Sequence, residues 1–239
     1  MIKIKQTLLI IVLFFFIGCA GAIEPSPSFY NISIDSSNKR AYFKHYSILP
    51  AEIKQNELDQ WKFIRTQTTD AFTFHRKRKS DGMLWLSYGL EITPRNAENY
   101  KVRLGLFDKE RTLGFHEMAL KTIEAIKNKD QEYLKKYANT EGFKSARYTT
   151  VNHYPAIEVE TYTKYREWDE YEKKYYLYSY TKTGKLKQYQ IKIYAHLANP
   201  DNASLKDQYS FQDMLQRAQR SLDSFTPSDE DFGEHEVSG

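Results

Sequence analysis

The chain has 239 residues, of which 41% are hydrophobic and 28% are charged, and its formal net charge is +4. With only 10 Gly and 7 Pro, the composition excludes collagen, low-complexity disorder and a multi-pass membrane protein, and it is typical of one globular domain. A charge this small does not indicate nucleic-acid binding, and we expect no such partner.

The first residues of the chain have the layout of a secretory signal. Lys3 and Lys5 form a positively charged start, and an uninterrupted apolar run from Leu8 to Ile17 follows. As a helix this run spans about 15 Å, half of a hydrocarbon core of about 30 Å, so we do not expect a transmembrane helix. We predict a signal peptide over residues 1–18.

The residues around the single cysteine resemble a bacterial lipobox. Phe16, Ile17 and Gly18 precede Cys19, although the lipobox usually begins with Leu where Phe16 stands. The resemblance implies cleavage before Cys19, a diacylglycerol on its sulfur and an acyl chain such as palmitate on its amine. Ala20, not Asp, follows, which resembles Gram-negative lipoproteins sent to the outer membrane. The alternative is an ordinary secreted protein that loses Cys19 with its signal peptide.

The mature chain divides by composition into three parts. Residues 19–29 contain Gly21, Pro25 and Pro27 and indicate a lipidated, flexible tether. Residues 30–226 carry the apolar periodicity of a single domain. Residues 227–239 contain five acidic residues and neither Lys nor Arg, and we expect a disordered acidic tail.

The first half of the domain predicts a hairpin and then helices. Alternation around Phe72–Phe74 and again from Leu84 to Ile92, with Asp81-Gly82 between the two runs, predicts a β-hairpin. Thr112 is the expected N-cap of a helix that ends near Lys127, and Asp130 is the expected N-cap of a second helical segment.

The second half gives the clearest pattern. Four strand-like runs, at residues 145–151, 155–166, 171–181 and 187–197, are separated by turns and alternate between apolar and polar positions. This alternation predicts an antiparallel sheet that is covered on one side. A helix from Ser210 presents an apolar stripe that ends at Phe225. The element order predicts an α+β fold in which helices flank an antiparallel sheet.

The order of these elements resembles the PsbP-like sandwich, which bacterial lipoproteins of the DcrB type also show. Three features carry the likeness over residues 45–225. Trp61 precedes the Phe72–Phe74 strand, and the helix at 112–127 leads into a long meander. The YLYSY strand at 176–180, a turn and the YQIKIY strand at 189–194 run into a closing amphipathic helix. The resemblance implies a non-enzymatic accessory or assembly factor.

Motifs for catalysis and metal binding do not emerge from the sequence. His116-Glu117 lacks the second histidine of the helical zinc motif, no GxSxG occurs, and the six histidines are scattered. We therefore expect no enzyme activity, no metal site and no cofactor. Glu158 and Glu160 share a strand face about 7 Å apart, which is compatible with glycoside hydrolysis. A cross-strand ion pair with Lys173 or Lys174 is the structural alternative.

Two features predict an interaction surface. Eleven of the 19 Tyr lie between Tyr148 and Tyr194, and Tyr176, Tyr178 and Tyr180 share one strand face. Tyrosine surfaces suit protein or glycan binding, although β-propensity with cross-strand aromatic pairs also explains the cluster. The basic run Arg76, Lys77, Arg78 and Lys79 is a second candidate contact, for acidic partners or anionic lipids. A hairpin end that protects a sheet edge also explains it.

These observations predict a membrane-anchored bacterial lipoprotein on the periplasmic face of the outer membrane. Its expected role is that of a non-catalytic binding or accessory factor. Its expected partners are the lipid bilayer, which acylated Cys19 enters, and an envelope protein. Two alternatives remain: a hydrolase that acts on envelope glycans or lipids, and a periplasmic ligand carrier with an apolar pocket between sheet and helix.

Acylation of Cys19 is directly testable. Metabolic labelling with a fatty-acid analogue should label the wild-type protein and leave Cys19→Ala unlabelled, because the thiol is the acceptor of the lipid. The two variants are compared on one gel after membrane fractionation. Absence of label on the wild type, or equal label on both variants, would contradict lipidation.

Overall fold

The computed structural model describes residues 33–34, 40–49, 60–65, 69–77, 84–98, 100–104, 109–113, 115–166, 168–198 and 210–232. The predicted signal peptide, Cys19 and the tether lie outside the described residues. The described part of the chain is α+β, and its strand pairs are antiparallel, as the sequence predicts.

Seven of the described strands form the central sheet, in the order β4-β5-β6-β12-β11-β10-β9. Their bounds are β4 (Gln60–Arg65), β5 (Asp70–Lys77), β6 (Leu84–Asn96), β9 (Phe143–Val151), β10 (Tyr154–Lys164), β11 (Trp168–Tyr180) and β12 (Leu186–Ala198). The four predicted runs of the meander correspond to β9 to β12, and the predicted hairpin joins β5 to β6.

Two smaller sheets complete the strands that the structure describes. One has the order β1-β2-β3-β13, with β1 (Ser33–Ile34), β2 (Ala41–Tyr42), β3 (Tyr46–Ile48) and β13 (Thr226–Pro227). The other is a hairpin of β7 (Tyr100–Leu104) and β8 (Lys109–Leu113).

The helical elements are α1 (Phe115–Asn128), α2 (Gln131–Leu134), a 3-10 helix (Lys135–Asn139) and α3 (Phe211–Leu222). The predicted cap at Asp130 is confirmed, because its side chain accepts hydrogen bonds from the amides of Glu132 and Tyr133. Helix α3 begins where the sequence predicts, and Ser210 is its N-cap, accepting a hydrogen bond from Asp213 N at 3.0 Å. The predicted cap at Thr112 is wrong, because Thr112 pairs with Lys101 in the β7–β8 hairpin and α1 begins only at Phe115.

Helix α3 covers one face of the central sheet. Its side chains Met214, Ala218 and Leu222 are almost completely buried, and they belong to the same apolar cluster as Tyr189 and Ile191 of β12. The apolar stripe predicted from the sequence is therefore the contact between this helix and the sheet.

The opposite face is covered at one end by α1 and α2. There Leu134 packs against Ile157 and Val159 of β10, with Ile126 and Tyr176 at the edge of the cluster. The expectation of a sheet covered on one side only is therefore wrong at this end, because the strands carry apolar residues on both faces here.

The start of the predicted disordered tail belongs to the fold, so the expectation of disorder is wrong for residues 227–232. Pro227 pairs with Tyr46 in the small sheet, and Lys182 N donates a hydrogen bond to Asp229 O at 2.7 Å. The ammonium group of Lys182 lies 2.7 Å from Glu230 Oε1. Backbone pairing fixes this segment, and its acidic side chains reach the basic turn between β11 and β12. Residues 233–239 lie outside the described residues.

This segment covers a buried lysine. Lys187 on β12 is fully buried; its Nζ lies 3.3 Å from His45 Nδ1 and donates to Ser228 O at 3.3 Å. Burial lowers the pKa of Lys187 from its usual value of 10.5, and the acidic side chains of the tail oppose this effect only in part.

The lowered pKa of Lys187 predicts a pH dependence of stability. Because the unfolded chain binds more protons than the folded one between the lowered pKa and about 10.5, the free energy of unfolding should rise with pH in that window. Lys187→Met removes this contribution, so the stability difference should shift in favour of the wild type as pH rises toward 10.5. Urea unfolding of both proteins from pH 7 to 10 measures this difference in the free energy of unfolding. Tyrosine ionisation is common to both proteins and therefore cancels in the difference.

The control for this measurement is Lys185→Met, because Lys185 is exposed on the neighbouring turn. Its stability difference from the wild type should stay constant with pH. A constant difference for Lys187→Met as well would contradict the buried, destabilised charge.

Candidate functional site

The candidate site lies where α1, α2 and the 3-10 helix meet the central sheet. Two apolar clusters flank it: Leu134 with Ile157 and Val159 on one side, and Ala97 with Ala119 and Leu186 on the other. Between them is a cavity of about 350 Å³. We name it the tyrosine pocket; its lining residues are Arg95, Asn96, Ala97, Phe115, Met118, Ala119, Thr122, Tyr133, Lys136, Tyr137, Tyr176, Tyr178 and Gln188.

Aromatic rings form the wall of the tyrosine pocket on the side of α2. The rings of Tyr137 and Tyr176 stack with their centroids 5.6 Å apart. The ammonium group of Lys136 lies 3.5 Å from the ring centroid of Tyr133 and 4.9 Å from that of Tyr137. Because a cation is attracted to the face of an aromatic ring, these contacts hold Lys136 over the tyrosines.

Hydrogen bonds fix the tyrosine hydroxyls. Tyr178 accepts one from Gln188 Nε2 at 3.0 Å. The Thr122 hydroxyl donates to Met118 O at 2.8 Å and also contacts the Tyr133 hydroxyl. Since a threonine hydroxyl has only one proton, Tyr133 is the donor in the second bond. Burial raises the pKa of Tyr176 and of Tyr178, so both phenols stay neutral at physiological pH.

The lining of the tyrosine pocket is cationic. Arg95 and Lys136 contribute positive charge, and the lining residues given above include no carboxylate. Nε of Arg95 is buried without a hydrogen-bond partner, and Arg95 makes no ion pair within the described part of the chain. Nearby acids are compensated: Glu172 lies 2.9 Å from Lys174 Nζ and 3.2 Å from Lys192 Nζ.

Strand register brings the central side chains of the site together. Tyr178 of β11 lies opposite Gln188 of β12, which in turn lies opposite Arg95 of β6. Sequence reasoning identified Tyr178 but missed Gln188 and Arg95. A prediction of the strand register across β6, β12 and β11 would have identified both residues.

The predicted tyrosines do not form one open surface. Tyr176 and Tyr178 are half-buried in the tyrosine pocket, whereas Tyr180 is 56% exposed and does not line it. The expected flat aromatic face is thus a recess in which two of the three tyrosines take part.

The basic run lies apart from the tyrosines. Arg76 and Lys77 end β5, and their backbone pairs with Leu86 and Leu84 near the start of β6, whereas Arg95 lies near its end. Nine residues of strand separate Leu86 from Arg95, which corresponds to about 30 Å. Arg78, Lys79 and Cys19 lie outside the described residues.

The paired carboxylates lie on the α3 face of the sheet. Glu158 is buried, and Arg147 holds it through Nε at 2.9 Å and Nη2 at 2.8 Å from Oε1. Glu160 lies opposite Lys173 in the strand register, but the ion-pair partner of Glu158 is Arg147 and not Lys173 or Lys174, which the structural alternative names. Neither carboxylate lines the tyrosine pocket or a second cavity, which lies between α3 and the sheet. Because Arg147 also holds Glu158 in an ion pair, the two carboxylates do not form an acid–base pair that faces a cleft.

A second cavity, of about 680 Å³, lies between α3 and the sheet. We name it the α3 groove. Phe211 of α3 contacts Tyr162 and Tyr171 edge-on or tilted, with centroid distances of 6.3 and 6.2 Å. Lys144 Nζ lies 5.3 Å from the Tyr162 ring centroid. The groove therefore combines aromatic walls with a cation.

Within the described residues, no three His, Cys, Asp or Glu side chains come close enough together to hold a metal ion. Within those residues, no helix has the length and apolar character needed to cross a membrane.

Comparisons with known proteins identify no family for this chain. No protein-family model matches it, and no curated protein sequence matches it either.

Proposed function

We propose that this protein is a non-catalytic binding protein of the bacterial cell envelope, held on a membrane through acylated Cys19. In this proposal the domain binds a protein of an envelope assembly through the tyrosine pocket and its rim, on the periplasmic face of the outer membrane. The lipobox-like residues before Cys19 support the anchor, and the site supports the binding role.

The observation that carries the binding role is the apolar rim of the tyrosine pocket. Phe115 is 36% exposed and Met118 is 60% exposed, and both line the mouth of a recess walled by tyrosines. Side chains of this kind are costly to leave in water and are concentrated at surfaces that bind partners. Rings with hydroxyls fixed by hydrogen bonds also bind at a low entropic cost.

We also propose the PsbP-like sandwich as the finer fold. Its support is the layering, with α3 on one face of an antiparallel sheet and α1 on the other. The accessory role that the sequence resemblance implies agrees with a binding site that lacks a catalytic pair.

A ligand carrier is the second candidate, because the α3 groove provides about 680 Å³ between helix and sheet. This volume falls within the range of small-molecule sites. The two roles differ in their site: a carrier retains a small ligand in the α3 groove, whereas the accessory factor retains a protein at the tyrosine pocket and its rim.

The rim is tested by two matched substitutions on α1. Met118→Asp and Leu120→Asp each place a carboxylate on an exposed apolar position, but only Met118 lines the pocket. Met118→Asp should reduce recovery of the partner from cross-linked envelopes about tenfold, since it puts a charge into the apolar contact. Leu120→Asp should recover the partner as the wild type does. Recovery of the bait alone from the wild type, or equal recovery from both variants, would contradict the proposal.

A further inference from the structure

Arg95 differs from Arg147 and Arg40, whose side chains have hydrogen-bond or ion-pair partners. Arg147 is held by the carboxylate of Glu158, and Arg40 donates to Ser47 Oγ at 2.8 Å. Arg95 has neither kind of partner, and its Nε is buried against the tyrosine pocket. A buried guanidinium donor without an acceptor is unfavourable, so the position favours an acceptor that arrives with a ligand.

Within the described residues, no carboxylate forms an ion pair with this cation. Glu172 and Glu91 are held by Lys192 at 3.2 and 2.9 Å. Glu98 accepts a hydrogen bond from Leu186 N at 2.6 Å through Oε1, and its Oε2 lies 3.3 Å from His116 Nδ1. A second cation, Lys136, lies at the same pocket. The electrostatic complement of the tyrosine pocket is therefore an anion.

The lining residues and the volume of the pocket define the shape and size of the rest of the ligand. The rings of Tyr133, Tyr137, Tyr176 and Tyr178 offer stacking and edge contacts, which favour a flat ring. At about 30 Å³ for each atom of the size of a water molecule, the cavity of about 350 Å³ holds roughly ten non-hydrogen atoms. An aromatic ring with a short carboxylate arm has this size.

We propose that the tyrosine pocket binds a small aromatic carboxylate, with the guanidinium of Arg95 on the carboxylate and the tyrosine rings around the aromatic group. This inference rests on the proposed binding function and adds the class of ligand. Arg95 is suited to this role because its planar fork pairs with a carboxylate through two parallel hydrogen bonds.

The test compares three probes that share a phenyl ring on a two-carbon arm and end in an anionic, a neutral or a cationic group. Phenylacetate, 2-phenylethanol and 2-phenylethylamine are titrated into the full-length protein, and binding is followed by calorimetry and ligand-observed NMR. Phenylacetate should bind at least about tenfold more tightly than the neutral alcohol, and the amine should bind most weakly, because two cations line the pocket.

Two substitutions assign the binding to the pocket. Arg95→Gln should weaken phenylacetate binding about tenfold or more, whereas Arg220→Gln, an exposed arginine on α3, should leave it unchanged. Lys136→Gln is the second variant: its side chain is exposed, so the fold should tolerate the change, and phenylacetate binding should weaken about threefold. Circular dichroism confirms that each variant is folded.

The outcomes separate this inference from the proposed function. Equal affinity for the three probes, no binding of phenylacetate, or unchanged binding in Arg95→Gln would overturn the inference. The proposed function depends on a different result, namely that the wild type recovers the partner and Met118→Asp does not. None of the outcomes above changes that result.

Discussion

The central constraint on this structure is that one long antiparallel sheet has to bury two faces with unequal cover. Helix α3 lies along one face and, with the small sheet, encloses Tyr189, Ile191 and Phe225. Within the described residues, the other face is covered by α1 and the short α2, which pack on β10 and β11 at one cluster, while α1 packs beside β12 at another. The tyrosine pocket lies between these two contacts.

On the face opposite α3, the charged residues also differ between the part that the helices cover and the part that they leave uncovered. Where the helices do not cover the sheet, Lys192 joins Glu91 and Glu172 into a cross-strand network, and these pairs satisfy one another. Next to the helices, tyrosines take the positions of the acidic residues, and the neighbours of Arg95 are tyrosine rings and side-chain amides. In the proposed site the guanidinium of Arg95 favours an anion, and the neutral phenols add no negative charge that would oppose it.

Local patterns predicted most of the elements, because period-two alternation, cap residues and the stripe of α3 are all properties of short segments. The meander of β9 to β12, the cap at Asp130 and the start of α3 near Ser210 were predicted in this way. Thr112 was assigned wrongly because a residue that suits a cap also suits a strand, and pairing with Lys101 decides between the two. The tail was also assigned wrongly, because its order depends on contacts with the distant turn at Lys182.

The site was predictable only in part for the same reason. Tyr176 and Tyr178 are conspicuous in the sequence, whereas Arg95 becomes part of the site through pairing of β6 with β12, about ninety residues further along the chain. A crystal structure of the protein grown with phenylacetate tests the central claim most directly. We predict the carboxylate on Arg95 and the ring between the tyrosines. A ligand bound elsewhere, or Arg95 paired with a carboxylate of the protein, would contradict it.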